Sequence, residues 1–180
     1  MMTQCMRSII CLVFIAFTVS AAVSQGPEPQ TAPPGSTPEL PPIVKIKEGV
    51  YQVGGVRIDK QKKTVLIQGA VNMSDGPVEY LACHPGGKTH ESVLVLFAEP
   101  YHIQVGMLLL GLTPGSRPID HQGSDEMPCG DPVELTIAWQ SSGKKVQQTP
   151  ESLITSVKDQ ACMKKTDWVF SGSQIRNGQF

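Results

Sequence analysis

The sequence contains no Cys-x-x-Cys pair in its 180 residues, and its cysteine spacings match no zinc-finger pattern. It has no excess of either charge, since 15 Lys and Arg stand against 16 Asp and Glu for a formal net charge of -1. A nucleic-acid surface, which needs a basic patch, is therefore not supported. The densest basic run, Lys60-Gln61-Lys62-Lys63, is short and reads as a solvated turn. No apolar run reaches the roughly 20 residues of a membrane-spanning helix, and there is no internal repeat. What remains is a chain whose length suits one domain plus appendages, with 40% hydrophobic residues, enough to bury a core without metal or disulfide staples.

The N-terminus is distinctive. Arg7 precedes the apolar run Ile9 to Val19, and small residues follow in "VSAAVSQ". A positive start, a short apolar centre and a small-residue exit form a secretory signal, with Ala22-Val23-Ser24 meeting the peptidase's small-x-small requirement before Gln25. Cys11 lies inside the apolar run behind bulky Ile9-Ile10, which favours cleavage over lipidation. Residues 1–24 are thus expected to be a signal peptide and the protein to be exported, to the periplasm or beyond, with no transmembrane segment in the mature chain. Residues 25–42, "QGPEPQTAPPGSTPELPP", are too rich in proline and small polar residues to bury apolar surface, and read as a disordered linker.

Residues 43–180 read as one small α+β domain with a mostly antiparallel sheet and two helices. Tyr51 to Ile58 is a hairpin around Gly54-Gly55. Thr64 to Val71, Val78 to Cys83, Ser92 to Ala98, Val133 to Trp139, a return strand from Val146, and Asp167 to Ser173 have strand character. Pro100 to Leu112 is predicted to be a helix with one buried face, although Gly106 weakens it. Thr149-Pro150 has the signature of a second helix start. Thr113 to Pro132 reads as a long irregular loop.

The chemistry-bearing residues cluster in "ACHPGGKTHES", residues 82–92. Ala82 to Thr89 fits a phosphate-binding loop in outline, but that loop must open a helix. The next residues, "HESVLVLFA", are β-rich, and an exported protein is remote from nucleotide pools, so no nucleotide is expected. Cys83 beside His84 or His90 lacks the separately positioned base a thiolate nucleophile needs. His84, His90 and Glu91 offer imidazole and carboxylate ligands suited to a transition metal, and His102 could join them; the alternative is that these polar groups satisfy loop backbone. No cofactor is otherwise called for. Trp139 and Trp168 read as core residues.

The segment "VEYLACHPGGKTHESVLVLFAEPYHIQVGMLLLGL", with Glu79, Cys83, Gly87 to Ser92 and His102 to Gly111, resembles the YdjY-type domain of exported bacterial proteins. "CGDPVELTIAW" and "DWVFSGS" are similar to it as well, so the resemblance spans roughly Val44 to Ser173. It implies a domain and attaches no reaction to it. Members usually continue with further β structure after the Trp-x-Phe-x-Gly-Ser segment, so either a last strand is lost or another chain supplies it.

The expected function is a non-catalytic binding or accessory module of the cell envelope. Its site comprises Lys88, His90, Glu91, Ser92 and His102, and its partner is an envelope protein or small ligand. The competing class is a metal-dependent or redox enzyme using His90, Glu91 and Cys83. Export leaves Cys83, Cys129 and Cys162 in an oxidising compartment. An odd number implies a free thiol, an intermolecular bond or a ligand; Cys83 with Cys129 is the expected internal pair, because the loop around Cys129 could fold over the strand end. Mass spectrometry of the exported protein should find an N-terminus near Gln25. A mature form that retains Met1, or an acylated cysteine, would contradict the processing.

Overall fold

The computed structural model describes the backbone of residues 12–17 and residues 41–117, 126–156, 158 and 160–173. The expected linker lies outside the described residues except for Pro41 and Pro42, as does part of the long loop after Thr113. In chain order the strands are β1 (Leu12–Phe17), β2 (Val44–Lys47), β3 (Val50–Val53), β4 (Val56–Asp59), β5 (Thr64–Val71), β6 (Tyr80–Cys83) and β7 (Ser92–Leu96). After the helix α1 (Pro100–Leu109) come β8 (Asp131–Ser141), β9 (Lys144–Gln148), β10 (Thr155–Ser156), β11 (Ala161–Cys162) and β12 (Trp168–Phe170).

Ten of these strands form one sheet, whose main path runs β12-β8-β1-β5-β4-β3-β2, with β7 added to β5, β6 to β7 and β9 to β8. The hairpins β2–β3, β3–β4, β4–β5 and β8–β9 are antiparallel, whereas β6 runs parallel to β7 and β1 runs parallel to both of its neighbours. The expectation of a mostly antiparallel, single small domain matches this sheet.

The β3–β4 turn is made by the glycines that predict it. Gly54 has φ +50, in the left-handed region that side chains other than glycine's rarely adopt. Gly55 lies so close to the end of β7 that a Cβ there would stand 2.2 Å from the carbonyl oxygen of Phe97. That close approach lets β4 and β7 follow one another along the same edge of β5. Alternation then places Val56, Ile58, Val65 and Ile67 on one face, all buried, where Met107 of α1 covers them. Gly106 is what admits the helix: a Cβ there would sit 3.2 Å from Val56 Cγ1 and 3.3 Å from Ile58 Cγ1. The glycine that weakens α1 by propensity is thus the contact that docks it.

Two expectations need correction. The second helix is absent from the described residues: Pro150–Leu153 is a single 3₁₀ turn, after which the chain enters the two-stranded β10–β11 ladder. The proline-led start is real, but Met163 N–H donates to Ile154 O at 2.8 Å and draws the chain out of helical geometry. α1 also ends at Leu109, short of the predicted Leu112. In the unprocessed chain Leu12–Phe17, within the expected signal, is a strand in mid-sheet, which leaves the expectation of its cleavage as it stands. No helix among the described residues is long and apolar enough to cross a membrane.

Replacing Gly55 by Ala should cost about 1–3 kcal/mol, because the new methyl meets backbone and not a yielding side chain. Urea denaturation should show the lower midpoint; an unchanged midpoint would contradict the close approach described here.

Candidate functional site

The predicted loop is a tightly tied turn between β6 and β7. Gly87 N–H donates to His84 O at 2.8 Å and Thr89 N–H to Gly87 O at 2.9 Å, and Thr89–Glu91 forms one 3₁₀ turn. Ser92 is fully buried, and its Oγ donates to Lys88 O at 2.8 Å. Asn72, in the turn after β5, donates from Nδ2 to Ser92 O at 2.8 Å and also to Thr89 O. Ser92 is therefore a structural hydroxyl, and Asn72 is the clamp.

On this frame Lys88 Nζ lies 2.6 Å from Glu91 Oε1 and 3.6 Å from Glu79 Oε2, and sits 5.2 Å from the centre of the Tyr80 ring. The bond to Lys88 holds the Glu91 carboxyl below the ordinary carboxylate range, and Glu91 in turn raises the Lys88 ammonium well above its usual value. This ammonium already faces two carboxylates, so it is poorly suited to take a phosphate. The chain after the loop is strand and not helix, which also removes the geometry of a phosphate-binding loop.

The suggested metal ligands are dispersed. His84 Nδ1 accepts the Gly86 N–H at 3.2 Å, which leaves the proton on Nε2, 3.3 Å from Glu99 Oε1. Both ring nitrogens are engaged. His90 is 78% exposed and its Nε2 is 3.9 Å from Glu91 Oε1, the oxygen that Lys88 occupies. No three His, Cys, Asp or Glu side chains among the described residues gather as a metal-binding group. His102 stands apart, 8% exposed, with its ring against the Gly54 turn and no hydrogen-bond partner on either nitrogen. Burial lowers its pKa, so the ring packs as a neutral imidazole. Cys83, Cys129 and Cys162 are free thiols in this structure. The Cys83–Cys129 bridge is thus not formed in it: Cys83 ends β6 beside Gly87, while Cys129 Sγ lies 3.6 Å from Arg117 O.

A second region was not foreseen. A cleft of about 580 Å³ opens beside β8, lined by Val133, Leu135, Glu151, Cys162, Met163 and Trp168 among others. Glu151 is only 7% exposed. Its Oε1 accepts the indole N–H of Trp168 at 2.8 Å and the backbone N–H of Thr166 at 3.3 Å. Burial alone would push this carboxyl up. The donors around it, from its own backbone, Trp168, Thr149 and Thr166, outweigh burial and hold its pKa below the ordinary value. A buried, ionised carboxylate thus lines an apolar-walled cleft. The available sequence signal was Trp168, whose indole N–H needs a partner wherever the ring is covered.

The family model of the YdjY domain matches residues 56–180, and the chain belongs to that family. No curated protein and no solved structure matches it.

Both depressed carboxyls fix the sign of a pH dependence. As pH falls, the unfolded Glu151 binds its proton near 4.5 while the folded one resists, so stability present above that pH is lost on descent through the lower folded pKa. Urea midpoints from neutral pH to about pH 3 should fall in the wild type and fall less steeply in Glu151→Gln, with Glu91 supplying part of the remaining slope. Identical slopes in the two proteins would contradict an ionised, donor-held Glu151.

Proposed function

We propose that this YdjY-domain chain is a non-catalytic binding module of the cell envelope, which takes a small cationic or N–H-donating ligand in the Glu151 cleft. The observation that carries the reading is the buried carboxylate of Glu151, whose Oε1 accepts from Trp168 Nε1–H and Thr166 N–H, in a cleft whose apolar lining includes Val133, Leu135, Met163 and Trp168. Ligand sites combine apolar walls with a few fixed polar groups, and this cleft has that composition. Glu134 and Asp167 also line it, and Lys165 offsets only one of these charges, so the local field favours a cation.

The Lys88 loop fits a different role within the same module. Lys88 is held between the carboxylates of Glu91 and Glu79, which leaves one net negative charge, while His90 projects into solvent at the loop's tip. Such a preorganised rim suits contact with a partner protein better than turnover. A metal site of His84, His90 and Glu91 would require His84 to give up two contacts and Glu91 to leave Lys88. Export of the protein follows from the N-terminal signal.

Trp168 reports on the cleft directly, because its indole N–H is bonded to Glu151. Titration with primary and quaternary alkylammonium ions should change its fluorescence saturably, and Glu151→Gln should weaken that binding at least tenfold while the fold is retained. Equal binding by the variant, or no saturable change with any of these cations, would overturn the proposal.

A further inference from the structure

Strand β1 holds the sheet together in an unusual way. On β5 its register runs from Leu12↔Thr64 to Ala16↔Gln68, and on β8 from Leu12↔Glu134 to Phe17↔Trp139. β4 pairs with β5 from Asp59↔Thr64 to Val56↔Ile67, so it occupies the opposite edge of β5 from β1. β9 likewise pairs with Ile137 to Ser141 and takes the opposite edge of β8. Take β1 away, and β5 over Thr64–Gln68 and β8 over Glu134–Trp139 each present an unpaired row of N–H and C=O groups. The body would then divide into β2–β7 on one side and β8, β9 and β12 on the other, facing each other across one strand's width.

Two observations mark β1 as the exchangeable piece. Its residues lie inside the apolar run that precedes Ala22-Val23-Ser24, so the processing expected near Gln25 would remove it. It also lies outside the span 56–180 that defines the family domain, whereas β5 and β8 lie within that span. An open pair of strand edges is unfavourable in water and is a ready template for another extended chain.

We propose that the space between β5 and β8 is a strand-acceptor groove. The unprocessed chain fills it with its own Leu12–Phe17, and the processed chain fills it with an extended segment of a partner protein. The chemistry of the occupant follows from the one that is seen. It is uncharged, six residues long, built of large apolar and aromatic residues, and parallel to both flanking strands. The groove does not depend on ligand binding in the Glu151 cleft, but its use by a partner does depend on removal of residues 1–24.

The test uses the full chain with a specific protease site placed in residues 28–36, so that it does not rely on natural processing. After cleavage, the N-terminal fragment should co-elute with the body. A fluorescent Leu-Val-Phe-Ile-Ala-Phe peptide, made soluble by flanking lysines, should displace it, and the same peptide N-methylated at alternate residues should bind at least tenfold more weakly. The amides within Thr64–Gln68 and Glu134–Trp139 that face β1, as distinct from those bonded to β4 and β9, should resist hydrogen exchange while either strand is seated. Loss of the fragment with those amides still protected would show that β5 and β8 close on each other, and would overturn the proposal. So would unfolding on loss of the fragment, failure of the peptide to enter, or dimerisation of the nicked chain through these edges in place of peptide uptake.

Discussion

Everything in this fold is referred to the eight-residue strand Thr64–Val71. Its first half is paired with β4 and its second half with β7, so one edge of a single strand joins the N-terminal hairpins to the loop-bearing β6–β7 pair. Its inward side chains Val65 and Ile67 meet α1 through the bare backbone of Gly106. Its end leads to Asn72, whose side chain clamps the Lys88 loop. Its far edge pairs with β1, whose other edge carries β8 and with it the Glu151 cleft. A β-branched run with alternating burial is what such a hub requires, since pairing on both edges leaves only the two faces for side chains.

The polar groups divide by how they are satisfied. Ser92, Asn72 and His84 spend their hydrogen bonds on backbone or on a neighbouring carboxylate, and so set the shape of the loop. Glu151 spends its bonds on keeping a charge in a covered position, which costs more and requires more donors.

The sequence made the sheet legible where pattern and environment agree. "TVLIQGAV" and the Gly54-Gly55 hairpin have one good solution each. The Thr149-Pro150 start did not fix its continuation, because the same cap opens an α-helix or a 3₁₀ turn, and the choice fell to contacts with Met163, distant in the chain. The run Ile9 to Val19 is ambiguous for a deeper reason: a signal peptide's apolar centre and a strand buried among parallel neighbours have the same composition. Within the predicted site, Lys88 and Glu91 were legible as a charged loop tip. That Ser92 points inward, or that Glu151 is covered, depends on Asn72 and Trp168 arriving from other elements, which no local pattern records.

The central claim is that β5 and β8 are not neighbours but are separated by a strand drawn from outside the family domain. Cross-strand nuclear Overhauser contacts in the full-length, unprocessed chain measure this directly. With an intervening strand, the backbones of Thr64–Gln68 and Glu134–Trp139 lie about 10 Å apart, twice the usual interstrand spacing, and show no mutual backbone contacts. Direct contacts between those two segments, at the roughly 5 Å spacing of paired strands, would contradict the account.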